Sequence, residues 1–75
     1  MEIIIEEILE LVKKKMREQG IYDRDGYAML VDETINYFIE KGKLTDDDNL
    51  KFIEDRLMEM WEYVRDEFSE TETPA

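Results

Sequence analysis

The sequence predicts an all-α protein, a three-helix bundle with short loops. Apolar residues recur with a period near 3.6 over three segments, and residues that start or stop helices separate those segments. The chain has 75 residues, of which 43% are hydrophobic, so it has enough material for one small core. We therefore expect a single domain over residues 1–68, followed by a disordered acidic tail over residues 69–75.

The first helix is predicted over residues 2–19. Glu10 and Lys14 have the i,i+4 spacing of an ion pair, and the basic residues near the C-terminal end complement the helix dipole. Gly20 then provides the left-handed residue that ends the helix in a Schellman motif. The apolar side of this helix is a broad arc formed by Ile4, Ile5, Ile8, Leu9, Leu11, Val12 and Met16.

The second helix is predicted over residues 27–41. Asp25 is the candidate N-cap, and Gly42 is the candidate terminator. The apolar stripe is wide, as expected of a helix that contacts two neighbours. Its centre is formed by Ala28, Val31, Ile35, Phe38 and Ile39, and its side by Leu30, Thr34 and Tyr37.

The third helix is predicted over residues 46–68. Thr45 is the candidate N-cap, because three aspartates follow it and acids are favoured in a first helical turn. On a helical wheel, the apolar residues of this segment occupy one third of the circumference and should face the core. They are Leu50, Ile53, Leu57, Met60, Trp61, Val64 and Phe68.

Carboxylates form a narrow line on the opposite side of the third helix. Between Asp55 and Asp66 they should recur every ~4.5–6 Å, which is similar to the spacing of phosphates along a nucleic-acid strand. Lys51 and Arg65 lie only at the edges of this line, so its mutual repulsion should be poorly relieved. We call this line the acidic stripe; it comprises Asp48, Asp55, Glu59, Glu62 and Asp66, with Phe52 and Tyr63 on one side and Met58 on the other.

The net charge of −11 is concentrated at one end of the chain. Residues 45–75 contain eleven acids and three bases, whereas residues 1–44 contain ten acids and seven bases. A chain this acidic is repelled by phosphate backbones and by anionic lipid, so we expect no direct binding to nucleic acid or membranes. The chain also has no cysteine, no apolar run near the length of a membrane span and no basic segment typical of a secretion signal, so we expect a cytoplasmic protein.

The composition disfavours catalysis. The chain contains no His and no Cys, and it lacks a Gly-rich phosphate loop, so we expect no enzyme activity, no cofactor and no metal. The segment 23–26 resembles the part of an EF-hand calcium loop that surrounds its glycine. In that register, however, Ile21 would take the first ligand position and Asp32 the twelfth. A turn in which Asp25 caps the next helix is therefore preferred to a calcium site at Asp23 and Asp25.

Three interpretations of the surface follow. In the preferred one, the chain is a small protein-binding module whose acidic stripe engages a basic partner, with a nucleic-acid-mimicking inhibitor as its specific form; in size and charge the chain resembles small phage- or virus-encoded antagonists of host nucleic-acid enzymes. In the second, the stripe is simply a solvated outer face. In the third, the chain assembles with itself through the first helix. The partner-binding candidates are Asp48, Phe52, Asp55, Glu59, Glu62, Tyr63 and Asp66, and the oligomer-interface candidates are Ile4, Ile8 and Leu11.

Overall fold

A computed structural model describes residues 2–45 and 49–72 and confirms the all-α three-helix bundle. Its helices are α1 (Glu2–Gln19), α2 (Arg24–Glu40), α3 (Leu50–Glu59) and α4 (Trp61–Glu72), and α3 and α4 are joined as one bent helix. The described part of the chain contains no β-strand. None of its helices combines the length and apolar character needed to cross a membrane.

Both predicted glycine terminators are confirmed. Gly20 has φ = 67° and Gly42 has φ = 75°, which is the left-handed region that a residue with a Cβ rarely adopts. In each case the residue after the glycine donates its N–H to a carbonyl five residues back, which is the bond that defines a Schellman motif. The two bonds are Ile21 N–H to the Met16 carbonyl at 3.0 Å and Lys43 N–H to the Phe38 carbonyl at 2.9 Å.

The predicted start of the second helix is wrong by three residues. Asp23, not Asp25, is the N-cap: its Oδ1 accepts the Gly26 N–H at 2.8 Å, and α2 begins at Arg24. Asp23 can cap because its backbone is extended, which brings its carboxylate over the first turn. Asp25 lies within that turn, where its charge favours the helix dipole.

Gly26 has a steric role at the same helix start. The Ile21 side chain packs where a Cβ on residue 26 would lie, and that Cβ would also be 2.7 Å from Asp23 Oδ1. The turn between α1 and α2 can therefore fold back onto α2 only because residue 26 has no side chain.

The predicted start of the third helix at residue 46 is also wrong. Asn49 caps α3, its Oδ1 accepts the Phe52 N–H at 3.2 Å, and the helix begins at Leu50. Asparagine caps a helix at least as well as threonine, and Asn49 directly precedes the apolar stripe that begins at Leu50. The three aspartates of the predicted first turn lie outside the described residues.

A bend at Met60 interrupts the predicted continuous helix. The Met60 N–H donates at 3.1 Å to the Leu57 carbonyl, three residues back rather than four, and α4 then starts with a bond from the Val64 N–H to the Met60 carbonyl. The Tyr27 hydroxyl of α2 donates to the same Leu57 carbonyl at 2.6 Å in the buried core. The Tyr27 ring also packs on Trp61, with ring centroids 5.1 Å apart. A side chain that takes a carbonyl from the helical ladder is a known cause of bending.

Helix α4 ends at Glu72, four residues beyond the predicted end at Phe68. Residues 69–72 were expected to belong to the tail, but they contain no glycine or proline that would stop a helix. The rest of the predicted tail, residues 73–75, lies outside the described residues.

The core confirms the predicted faces of the helices with one exception and adds two residues. Tyr37, predicted at the side of the second apolar stripe, is instead exposed. Tyr27 is fully buried, and Leu44 is buried directly after the α2 terminator. Ile8 is also fully buried within the single chain, so its prediction as an oligomer-interface residue is wrong; Ile4 and Leu11 are half-buried and pack against the same core. The buried apolar residues are Ile5, Ile8, Val12, Met16, Tyr27, Leu30, Val31, Ile35, Phe38, Leu44, Ile53, Leu57, Trp61, Val64 and Phe68.

Burial of Tyr27 predicts an alkaline loss of stability. It raises the pKa of Tyr27 from 10.0 to about 12. Because the folded state holds this proton more tightly than the unfolded state, the resulting stability is complete below pH 10 and is lost as the pH rises toward 12. Urea unfolding from pH 9 to 12 should show a steeper fall in the free energy of unfolding for wild type than for Tyr27→Phe. If the free energies of unfolding of wild type and Tyr27→Phe fell in parallel with pH, the raised pKa of Tyr27 would be contradicted.

The close approach at Gly26 predicts that Gly26→Ala destabilises the protein by about 1–3 kcal/mol through overpacking, although alanine has the higher helix propensity. Chemical denaturation measures this change. Ile21→Ala removes the Cγ2 atom that would overlap, so the double variant should be more stable than the sum of the two single effects allows. If the two stability changes were additive in the double variant, contact with Ile21 would not be the reason that residue 26 must be glycine.

The buried hydroxyl of Thr34 predicts a stabilising substitution. Among the described residues this hydroxyl has no hydrogen-bond partner, and Thr34 is fully buried. Thr34→Val keeps the shape and removes the buried polar group, so the free energy of unfolding should rise by ~1 kcal/mol. Thr34→Ser, which keeps the hydroxyl and removes the methyl group, should destabilise. A less stable valine variant would contradict this interpretation.

Candidate protein-binding face

The acidic stripe runs along the outer side of the bent helix. Asp55 and Glu59 lie on α3, Glu62 and Asp66 lie on α4, and all four side chains are exposed, as the helical wheel predicts. Asp48 lies outside the described residues. The stripe faces away from the buried apolar side of α3 and α4, so its side chains are available to a partner without disturbing the core.

Basic side chains reduce the repulsion among the carboxylates of the acidic stripe more than the sequence suggested. Three of its four described carboxylates form ion pairs within the helices, and Arg56, which the sequence did not place beside the stripe, supplies one of them. The pairs are solvent-exposed, so each contributes little stability and is screened by salt. They are Lys51–Asp55 at 3.4 Å, Arg56–Glu59 at 3.5 Å and Arg65–Asp66 at 3.5 Å.

The bend at Met60 divides the stripe into two short lines. Asp55 and Glu59 precede the bend, whereas Glu62 and Asp66 follow it. Glu62 lies in the first turn of α4, where the helix dipole favours a negative charge. The straight helix that the predicted regular carboxylate spacing requires is therefore interrupted at Met60.

An exposed aromatic residue lies within this acidic surface. Tyr63 is 81% exposed. Asp66 and Glu67 follow it within α4 by three and four residues and therefore neighbour it on the helix surface, whereas Glu59 precedes it across the bend at Met60. Phe52 is 45% exposed at the start of α3. Met58, the predicted flank on the other side, is instead half-buried against the core.

An ion pair between a largely buried lysine and exposed glutamates borders the stripe and connects α1 with α4. Lys13 Nζ lies 3.1 Å from Glu67 and 3.2 Å from Glu10, and its side chain is only 12% exposed. Burial lowers the pKa of Lys13, but the hydrogen bonds and the charge attraction of Glu67 and Glu10 together raise it by more, so Lys13 stays charged at neutral pH. The predicted Glu10–Lys14 pair is therefore replaced by Glu10–Lys13. A single sequence could not reveal the Glu67 contact, which spans 54 positions.

The acidic side chains are dispersed rather than gathered. In residues 2–45 and 49–72 no group of three or more acids is arranged to hold a metal ion. At the segment that resembles an EF-hand, the Asp23 carboxylate accepts the Gly26 N–H as a helix cap. The described geometry of this segment is thus that of a helix start.

Comparisons of the chain with protein-family models, with curated proteins and with solved structures find no significant match.

Proposed function

We propose that the chain is a non-enzymatic protein-binding module that engages a basic surface of another protein through the acidic stripe. The observation that carries the proposal is Tyr63, a tyrosine 81% exposed between Glu59 and Asp66. Tyrosine is enriched at the centres of protein interfaces because it buries a large area at a small entropy cost and keeps a polar tip. Carboxylates around it would select a basic partner.

The existing ion pairs do not block such binding. The Asp55, Glu59 and Asp66 pairs are exposed and 3.4–3.5 Å long. Pairs of this type contribute only ~0.2–1 kcal/mol, so an arginine of the partner can replace the internal cation at little cost. The bent helix would then contribute affinity mainly through Tyr63 and Phe52, and association rate mainly through its charge.

The specific form that we propose is a mimic of nucleic-acid charge acting in the cytoplasm. Its support is the concentration of eleven acids and three bases in residues 45–75. A groove that binds phosphates presents Lys and Arg along its length, and two lines of carboxylates on one helical surface offer complementary charge. The absence of cysteine agrees with a reducing compartment.

A matched pair of triple variants tests the binding face. The first, Glu59→Gln/Glu62→Gln/Asp66→Asn, neutralises the stripe around Tyr63. The second, Glu33→Gln/Glu40→Gln/Asp32→Asn, makes the same chemical changes at exposed positions of α2. Both should fold, because all six side chains are exposed. Each protein is immobilised, and proteins retained from a lysate of the source cell are quantified at ~0.05 and ~0.2 M salt.

We expect wild type and the α2 variant to retain the same basic protein, and the stripe variant to lose most of it. Tyr63→Ala should speed dissociation of that protein, while the stripe variant should mainly slow its association. If both triple variants lost the basic protein equally, net charge alone would explain its retention. That result would contradict a defined binding face. If the retained protein binds nucleic acid, duplex DNA should displace it from wild type; failure to compete would reject the mimic while leaving a protein-binding face.

A further inference from the structure

A second surface is formed by the groove between α1 and α2. It has a volume of about 540 Å³ where Ile3, Leu11 and Tyr37 line it, and it continues past Leu11 and Tyr37 toward the end of α1. Ile3 is 72% exposed and Tyr37 is 46% exposed. Apolar side chains of this size, exposed together on a small domain, are typical of an interface.

Acids predominate in one half of this groove and bases in the other. Glu6, Glu7 and Glu10 of α1 border its first half, together with Lys43 just after the end of α2. Lys14 and Lys15 of α1 border its second half, together with Glu18. The first half therefore has a net negative charge and the second half a net positive charge. Glu7, Lys14 and Lys15 form no ion pair with any residue that the structure describes. These three charges can therefore pair with another molecule without giving up an internal partner.

This sorting is self-complementary under a two-fold rotation. Glu7 and Lys15 each lie four residues from Leu11, which is ~6 Å along the helix in opposite directions. If two copies of α1 meet antiparallel with Leu11 on the symmetry axis, Glu7 of each copy lies opposite Lys15 of the other. A parallel arrangement would place like charges together.

We propose that the chain forms an antiparallel homodimer through the α1–α2 groove, with Leu11 and Tyr37 at its centre and two reciprocal Glu7–Lys15 pairs. The distribution of charge favours this approach, because residues 1–44 contain ten acids and seven bases and residues 45–75 contain eleven and three. In a three-helix bundle the groove between two helices lies opposite the third, so the acidic stripes of both copies point outward and apart. Dimerisation thus leaves the proposed binding face free and does not depend on it.

Sedimentation equilibrium at high micromolar concentration tests the dimer. Wild type should sediment at twice the 9.1 kDa mass of one chain. Glu7→Lys and Lys15→Glu should each raise the dissociation constant by about tenfold or more, because each places two like-charge pairs in the homodimer. Glu54→Lys, the same reversal at an exposed position of α3, is the control and should leave the dimer intact. Circular dichroism should show unchanged helix content in all variants.

Two recombinations test the antiparallel register. Mixing the Glu7→Lys and Lys15→Glu proteins should restore dimerisation, because the mixed dimer regains two opposite-charge pairs. The double variant Glu7→Lys/Lys15→Glu should also dimerise as well as wild type. In this variant the helix dipole of α1 disfavours both new charges, because the lysine lies toward the N-terminal end and the glutamate toward the C-terminal end. Recovery of dimerisation could therefore not come from a more stable monomer. A monomeric wild type would reject the dimer, and rescue by mixing without recovery of the double variant would reject the antiparallel arrangement.

Discussion

The hydrogen bond from the Tyr27 hydroxyl to the Leu57 carbonyl determines how the last third of the chain packs. Both groups are buried, and in a medium of low dielectric constant an unpaired polar group is costly, so the bond constrains the position of α2 against α3. The same carbonyl accepts the Met60 N–H, and the helix bends there. Trp61 then begins α4 in contact with the Tyr27 ring. One tyrosine therefore sets the bend and supports the helix on both sides of it.

Beyond the bend, side chains from the other end of the chain hold α4. Phe68 is buried, with its ring 5.2 Å from that of Tyr22 and with the Arg17 guanidinium 6.0 Å from its centroid. Glu67, which pairs with Lys13, directly precedes Phe68 in α4. These contacts hold α4 through an aromatic edge contact, a cation–π contact and an ion pair rather than through aliphatic packing. They also place Lys13 and Glu67 at the border of the acidic stripe.

The bundle separates two kinds of charged surface. On α3 and α4 the carboxylates dominate, their internal cations are weakly bound, and an exposed Tyr63 lies among them. On α1 five acids and four bases nearly balance, and apart from Glu18 the acids precede Leu11 and the bases follow it. A surface of one sign attracts a partner of the other sign, whereas a sorted surface is complementary to itself. The fold keeps the two apart because they belong to opposite sides of a small core.

The sequence by itself determined the helical fold, the end of α1, the terminators Gly20 and Gly42, and the core faces, because these follow from a 3.6-residue period and from local backbone conformation. It also determined which side of α3 and α4 is acidic and exposed. Only the tertiary structure decided the remaining features, since each depends on residues distant in sequence or on competition between neighbouring caps. Asp23 and Asn49 displaced the predicted caps, Tyr27 converted one helix into two, and burial of Ile8 within the single chain moved the candidate self-association surface to Ile3, Leu11 and Tyr37. Periodicity shows which residues face the core, but contacts between helices decide how wide the covered face is.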